Sequence, residues 1–172
     1  RSVCMSCLTE ISGLNADQEN AIKVVQMLQG VIDVLNGYYP MSPALNFVSL
    51  YQDERNDNPR FIQNSALFLT TCLGKHLKAL EQQAQSDILI VAHNYLLRIS
   101  AVDDREVFKI CLEYWDKFVD GLYQEVSGGS SSSSGLFLDS FNHGVERKNM
   151  YSNILSNLRS VMIDKMVKPE EV

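Results

Sequence analysis

At 172 residues, 45% of them hydrophobic and 21% charged, the chain can bury a core and is not a disordered polymer by composition. Its net charge of −6 argues against a nucleic-acid binder, which would present a basic face, and leaves room for a basic protein partner. Its longest apolar run, Ile88–Ala92, falls far short of the ~20 residues that span a bilayer, and Arg1–Leu14 lacks the apolar core of a secretory leader.

The pattern is helix after helix, with little strand-like alternation and no Asn-Gly or Asp-Gly hairpin between alternating runs. Residues 1–12 read as the end of a helix, with Gly13 as its stop. This segment carries Cys4 and Cys7, a C-x-x-C without the second ligand pair or the strand–helix context that zinc or redox chemistry needs. Their spacing is about one helical turn, which suits cysteines facing a core.

A second helix is predicted over 17–36, capped by Asn15 or Asp17 and ended by Gly37. Its buried stripe would be Ile22, Val25, Leu28, Val31, Ile32 and Leu35. Pro40 and Pro43 then open a long connection. Asn58-Pro59 is a helix entry, asparagine as cap and proline at the first helical position. The helix over 59–80 would contact its neighbours through Phe61, Ala66, Leu69, Leu73, Leu77 and Leu80, and Gly74 would permit a close approach. Ser86 caps a helix over 86–99 with Leu89, Ala92, Leu96 and Ile99 as its core face.

A short connection leads into the best-patterned stretch, 103–126, so these two helices should fold back as an antiparallel pair. Phe108, Cys111, Leu112, Trp115, Phe118, Val119 and Leu122 follow the i, i+3, i+4, i+7 rhythm of one buried stripe. Asp103 with Glu106 resembles a capping box. Residues 127–144 form a flexible Ser/Gly-rich insertion, in which Phe137, Leu138 and Phe141 could dock on a helical surface. The last helix, 146–166, would turn Tyr151, Leu155, Leu158, Met162 and Met166 inward, with Lys165 and Lys168 at its negative end and Pro169 as its stop.

Little in the chain suggests chemistry. His76, His93 and His143 are scattered, with His93 expected to be partly buried or on the surface, and no H-x-x-x-H, H-E-x-x-H or Gly-rich phosphate loop occurs. The serines of 127–134 have no base held in hydrogen-bond reach. No catalytic, cofactor-binding or metal-binding residue is therefore assigned, and the chain is not expected to be an enzyme. Tyr114 and Trp115 read as packing surface rather than an aromatic cage. Lys109, Glu113, Asp116, Lys117 and Asp120 lie on the outer stripe of the same helix, as a solvated face or as an acidic contact for a basic protein.

Helical periodicity alone allows either a bundle or a solenoid, because no internal sequence repeat stands out. Four stretches decide between them: CLTEI (7–11), FIQNSALFLTT (61–71), EVFKICLEYW (106–115) and MVKPEEV (166–172). In this order they resemble the exportin-one family, the nuclear export receptors for leucine-rich signals within the importin-β/karyopherin superfamily. The resemblance implies an all-α solenoid of antiparallel HEAT-repeat helix pairs, of which 1–172 is a partial array from before the middle of the protein.

The resemblance also implies Ran-GTP, export-signal cargo and nucleoporins as partners, no direct nucleic acid or membrane partner, and shuttling between nucleus and cytoplasm. In such solenoids the second helix of each pair lines the concave face that wraps Ran, so Glu113, Asp116 and Asp120 become candidate Ran-facing residues. The Ran-touching acidic loop would follow MVKPEEV, and the cargo groove with its inhibitor-reactive cysteine would lie in later repeats. None of Cys4, Cys7, Cys72 and Cys111 corresponds to that cysteine.

Overall fold

The computed structural model describes residues 1–14, 20–42, 45–53, 57–83, 86–127 and 144–167, and every regular element among them is helical. The helices are α1 (Ser2–Ser12), α2 (Ala21–Tyr38), α3 (Phe47–Gln52), α4 (Asn58–Gln83), α5 (Ser86–Ser100), α6 (Arg105–Ser127) and α7 (Ser152–Val167). Residues 144–150 are also helical and lead through a turn at Tyr151 into α7. The fold is all-α, as the periodicity predicts. It divides into two compact units, Arg1–Cys111 and Leu112–Val172, with the boundary inside α6.

In the first unit α4 is the central helix, touching α1, α2, α3 and α5. A helix contacted by several neighbours must be apolar over more than one stripe. Accordingly Ile62, Phe68 and Cys72 are buried along with the expected Phe61, Ala66, Leu69, Leu73 and Leu80, whereas Leu77 is only half-buried. Gly74 is exposed, so it does not mediate a close approach. Asn58 is not the cap. It lies in the first turn, where its Oδ1 accepts from Arg1 Nη2 (2.8 Å) and the Tyr39 hydroxyl (2.9 Å). Asp57, just before it, holds a left-handed φ of 59°, a conformation that a short polar side chain tolerates.

The register of α2 differs from the predicted stripe. Ala21 and Val24 join Leu28, Val31, Ile32 and Leu35 inside, while Ile22 is exposed and Val25 half-buried. Apolar residues on both sides of the true stripe left the pattern ambiguous by one position. The helix also runs past Gly37 to Tyr38, and the predicted caps Asn15 and Asp17 lie outside the described residues.

The long connection after Pro40 contains α3. Asn46 caps it by accepting from the Val48 N–H at 2.9 Å, and Phe47 buries its ring against Tyr39 and Tyr95. Arg98 of α5 holds this connection: its guanidinium donates to the carbonyls of Ser42 (2.8 Å), Leu45 and Pro40, and covers the Phe47 ring.

Nearly every side of α5 is buried. Ile88, Tyr95, Leu97 and Ser100 are inside as well as the predicted Leu89, Ala92, Leu96 and Ile99. His93, expected to be partly buried or on the surface, is wholly buried, with Nδ1 2.7 Å from the Leu89 carbonyl oxygen. His76 is buried too, its Nε2 2.8 Å from the Ser12 carbonyl oxygen at the end of α1. Both are core histidines. Cys4 and Cys7, by contrast, are exposed on α1 and not turned to the core. Burial pushes the Cys72 and Cys111 thiols up to about 12 and about 11, so both are inert packing groups.

The second unit is organised by rings. Tyr114, Trp115 and Phe118 form one cluster, and Tyr151 meets Phe118 edge-on at 5.0 Å. Leu122, Ile154 and Leu158 complete the buried set. Tyr151 and Leu158 are buried as predicted, with Ile154 between them, while Leu155 and Met162 are half-buried and Met166, predicted inward, is exposed near the end of the helix. Where the chain re-enters at Gly144, a β-carbon would sit 3.1 Å from the Glu125 carbonyl oxygen, so only glycine fits there without displacement. Arg147 pairs with the Glu125 carboxylate at 2.8 Å beside this contact. Residues 128–143, including Phe137, Leu138, Phe141 and His143, and the terminal Lys168 and Pro169 lie outside the described residues.

Candidate protein-interaction face

The candidate face is the solvent side of α6, and the start of that helix is fixed by Asp104, not Asp103. Asp104 Oδ1 accepts from the backbone N–H groups of Glu106 (2.9 Å) and Val107 (3.0 Å). This satisfies two donors that the first turn otherwise leaves without an intrahelical partner. The predicted capping box does not form, because the cap sits one residue later and Val107 takes the third helical position. Asp104 Oδ2 also accepts from the Tyr51 hydroxyl at 2.9 Å. The Val107 N–H, with the Tyr51 hydroxyl and the Glu106 N–H, holds the Asp104 carboxyl below its ordinary value. Tyr51 is pushed up to about 12, first by burial and then by that hydrogen bond. At the start of the connection, a hydrogen bond from Ser100 partly offsets the upward push of burial on the Cys111 thiol.

The buried side of α6 comprises Val107, Cys111, Tyr114, Trp115, Phe118 and Leu122. Two residues assigned inward by the sequence pattern, Leu112 and Val119, are exposed, and Phe108 is half-buried. The stripe is rotated by less than one residue from the predicted one, because Val107 and Tyr114 belong to it. Tyr114 could have been found from its i+4 relation to Phe118, with which it stacks at 5.7 Å.

The candidates Glu113, Asp116 and Asp120 are all exposed and share one side of α6. Asp120 accepts a 3.3 Å hydrogen bond from Gln124, one turn on. Lys117 is exposed on the same side. This arrangement offers charge to a partner and no reaction centre. It contains no nucleophile–base pair, and among the described residues no group of three His, Cys, Asp or Glu side chains could hold a metal ion. No described helix is long and apolar enough to cross a membrane.

Comparison with known proteins assigns this helix to a repeat. Residues 87–123 match the family described as chromosome region maintenance or exportin repeat, and residues 147–172 match CRM1 / exportin repeat 2. The first match takes in nearly all of α5 and most of α6. The whole chain is 40% identical to Exportin-1 of Schizosaccharomyces pombe, 35% identical to Protein EXPORTIN 1A of Arabidopsis thaliana and 34% identical to Exportin-1 of Drosophila melanogaster. It spans 17%, 17% and 16% of those relatives respectively.

Proposed function

Over its whole length this chain is a homologue of the exportin-1 proteins, and from that premise we propose that it is a stretch of the HEAT-type helical-repeat wall of a nuclear export receptor. The observation that carries the reading is full-length similarity joined to an exportin repeat that coincides with the α5–α6 pair. Such a receptor takes up leucine-rich-signal cargo together with Ran in its GTP state and shuttles between nucleus and cytoplasm past the nucleoporins. Ran and cargo favour one conformation of the receptor, so each raises the affinity of the other, and the receptor catalyses nothing. The cargo groove belongs elsewhere in the receptor.

Within this chain, Glu113, Asp116 and Asp120 are the proposed Ran-facing residues. Exposed carboxylates on one side of a helix favour a basic partner surface and speed its encounter more than they add to final affinity. Reversing all three to lysine in the full receptor is expected to weaken Ran-GTP binding about 3- to 10-fold at low salt, with the difference shrinking as salt rises. Unchanged affinity at low salt would remove these residues from the Ran surface. A receptor that binds Ran-GDP and Ran-GTP alike would instead favour a structural scaffold without Ran dependence.

A further inference from the structure

The solvent side of α6 carries more than charge. Leu112, Val119 and Tyr123 are 42%, 40% and 66% exposed, and they recur at i, i+7 and i+11. That spacing sets them in a nearly straight row about 16 Å long on one side of the helix. Asp116 lies in the same row and Asp120 beside it, both exposed. On one flank the row is continuous with the buried Trp115, Phe118 and Leu122. On the other it is bordered by Glu113 and Asp120.

Two physical points identify the chemistry of an occupant. A straight row of apolar side chains at helical spacing matches the ridge of a second helix packed at a shallow angle, whereas an extended strand would meet them at the wrong repeat. Asp116 and Asp120 are a like-charge i, i+4 pair, which costs an isolated helix a few tenths of a kcal/mol. A cation placed opposite them relieves that repulsion. Glu113, by contrast, already has Lys109 and Lys117 one turn to either side, and Lys117 also lies one turn before Asp120, so Asp116 is the carboxylate with no cation one turn away in sequence.

We infer that the row Leu112–Asp116–Val119–Tyr123, with Asp120 at its edge, is a docking site for an amphipathic helix that carries lysine or arginine along one flank. The inference rests on the reading of α6 as a partner-facing helix and adds that the partner element is helical and half apolar. Among the described residues, the exposed apolar side chains of α1 and α7, such as Val3, Ile11, Ile163 and Met166, are accompanied by single carboxylates, Glu10 and Asp164, and not by a like-charge pair.

The test uses the full receptor, its cargo groove saturated with an unlabelled leucine-rich signal peptide so that it cannot take up the probe, and a fluorescent synthetic helix of leucine and lysine with leucines at i, i+3, i+4 and i+7. Its controls are the leucine–glutamate counterpart and a leucine–lysine peptide with the leucines spread around the helix. Saturable binding of the amphipathic basic peptide alone is expected. The variant Leu112→Ser/Val119→Ser/Tyr123→Ser should weaken it about 10-fold or more, and Asp116→Asn/Asp120→Asn about 3-fold with a flatter salt dependence. All five positions are exposed, so these variants should unfold close to the wild-type midpoint, the double asparagine slightly above it.

Equal binding by the triple-serine variant overturns the inference, as does equal binding of the control peptides. If only the aspartates matter, the helical partner is overturned while an acidic contact with Ran stands. If both variants weaken the peptide but leave Ran-GTP affinity unchanged, the docking site stands and the Ran assignment falls.

Discussion

Helices α5 and α6 are consecutive, amphipathic by sequence and parts of one repeat, yet they treat their polar groups in opposite ways. In α5 the polar side chains turn inward and bond the molecule to itself: Tyr95 reaches Asn36 Oδ1 (2.6 Å) and the Tyr39 carbonyl (2.9 Å), His93 meets Leu89, and Arg98 gathers the carbonyls of the α3 connection. In α6 the charged side chains turn outward, and the buried side is rings with Val107, Cys111 and Leu122. A helix whose hydrogen-bonding capacity is used internally can hold a repeat together but offers little to a partner. Its neighbour, anchored chiefly by burial of Trp115, Phe118 and the apolar side chains in line with them, keeps its polar side available.

The contrast is sharpest in the cost of truncation. Leu96→Ala on α5 removes a side chain with no exposed surface and should destabilise by about 2–5 kcal/mol, while Leu112→Ala on α6 should stay within about 0.5 kcal/mol. Urea unfolding midpoints of the two variants make the measurement, and equal losses would mean that the outer row of α6 is packed in solution. Next in size is Tyr95→Phe. It leaves Asn36 and the Tyr39 carbonyl without their donor and should cost about 1–3 kcal/mol, a loss invisible to any apolar-burial argument.

A smaller effect is expected at the junction of the two helices. Asp104→Ala removes the cap of α6 and should cost about 1 kcal/mol near neutral pH. Because the folded state depresses the Asp104 carboxyl, its contribution is complete above the ordinary carboxylate value and disappears as pH falls through the folded one. The gap between wild type and variant should therefore narrow in acid, and a gap that persists there would show that charge has no part in the cap. Smallest of all, Asp120→Asn should raise stability by a few tenths of a kcal/mol by removing the repulsion from Asp116, read as a slight rise in Tm.

These differences mark where sequence patterns stop being informative. The all-α class and the helices over 59–80, 86–99 and 103–126 are legible because caps, prolines and long apolar periods repeat the same message. Burial of His93 and Tyr95 is not, because a polar residue on a helix gives no sign of whether its partner is water or a carbonyl of a distant segment. Asn58 and Asp104 show the same limit at helix ends. Both Asp103 and Asp104 suit a cap, and the choice depends on backbone geometry that composition does not encode. The acidic side of α6 is legible as charge, but the apolar row beside it is not, because Leu112 and Val119 fall in the same helical period as the buried stripe.

The contact at Gly144 has a consequence for how this chain can vary in length. Glu125 and Arg147 are joined by an ion pair, and Gly144 seats against the Glu125 backbone, so the chain leaves α6 and returns to it at one spot. For a segment whose ends are already pinned together, doubling its length adds only about 0.6 kcal/mol of closure entropy. The stretch between Ser127 and Gly144 is therefore a natural splice point. Residues can be inserted or removed there, or a reporter domain threaded in, while both helices that flank it keep their register.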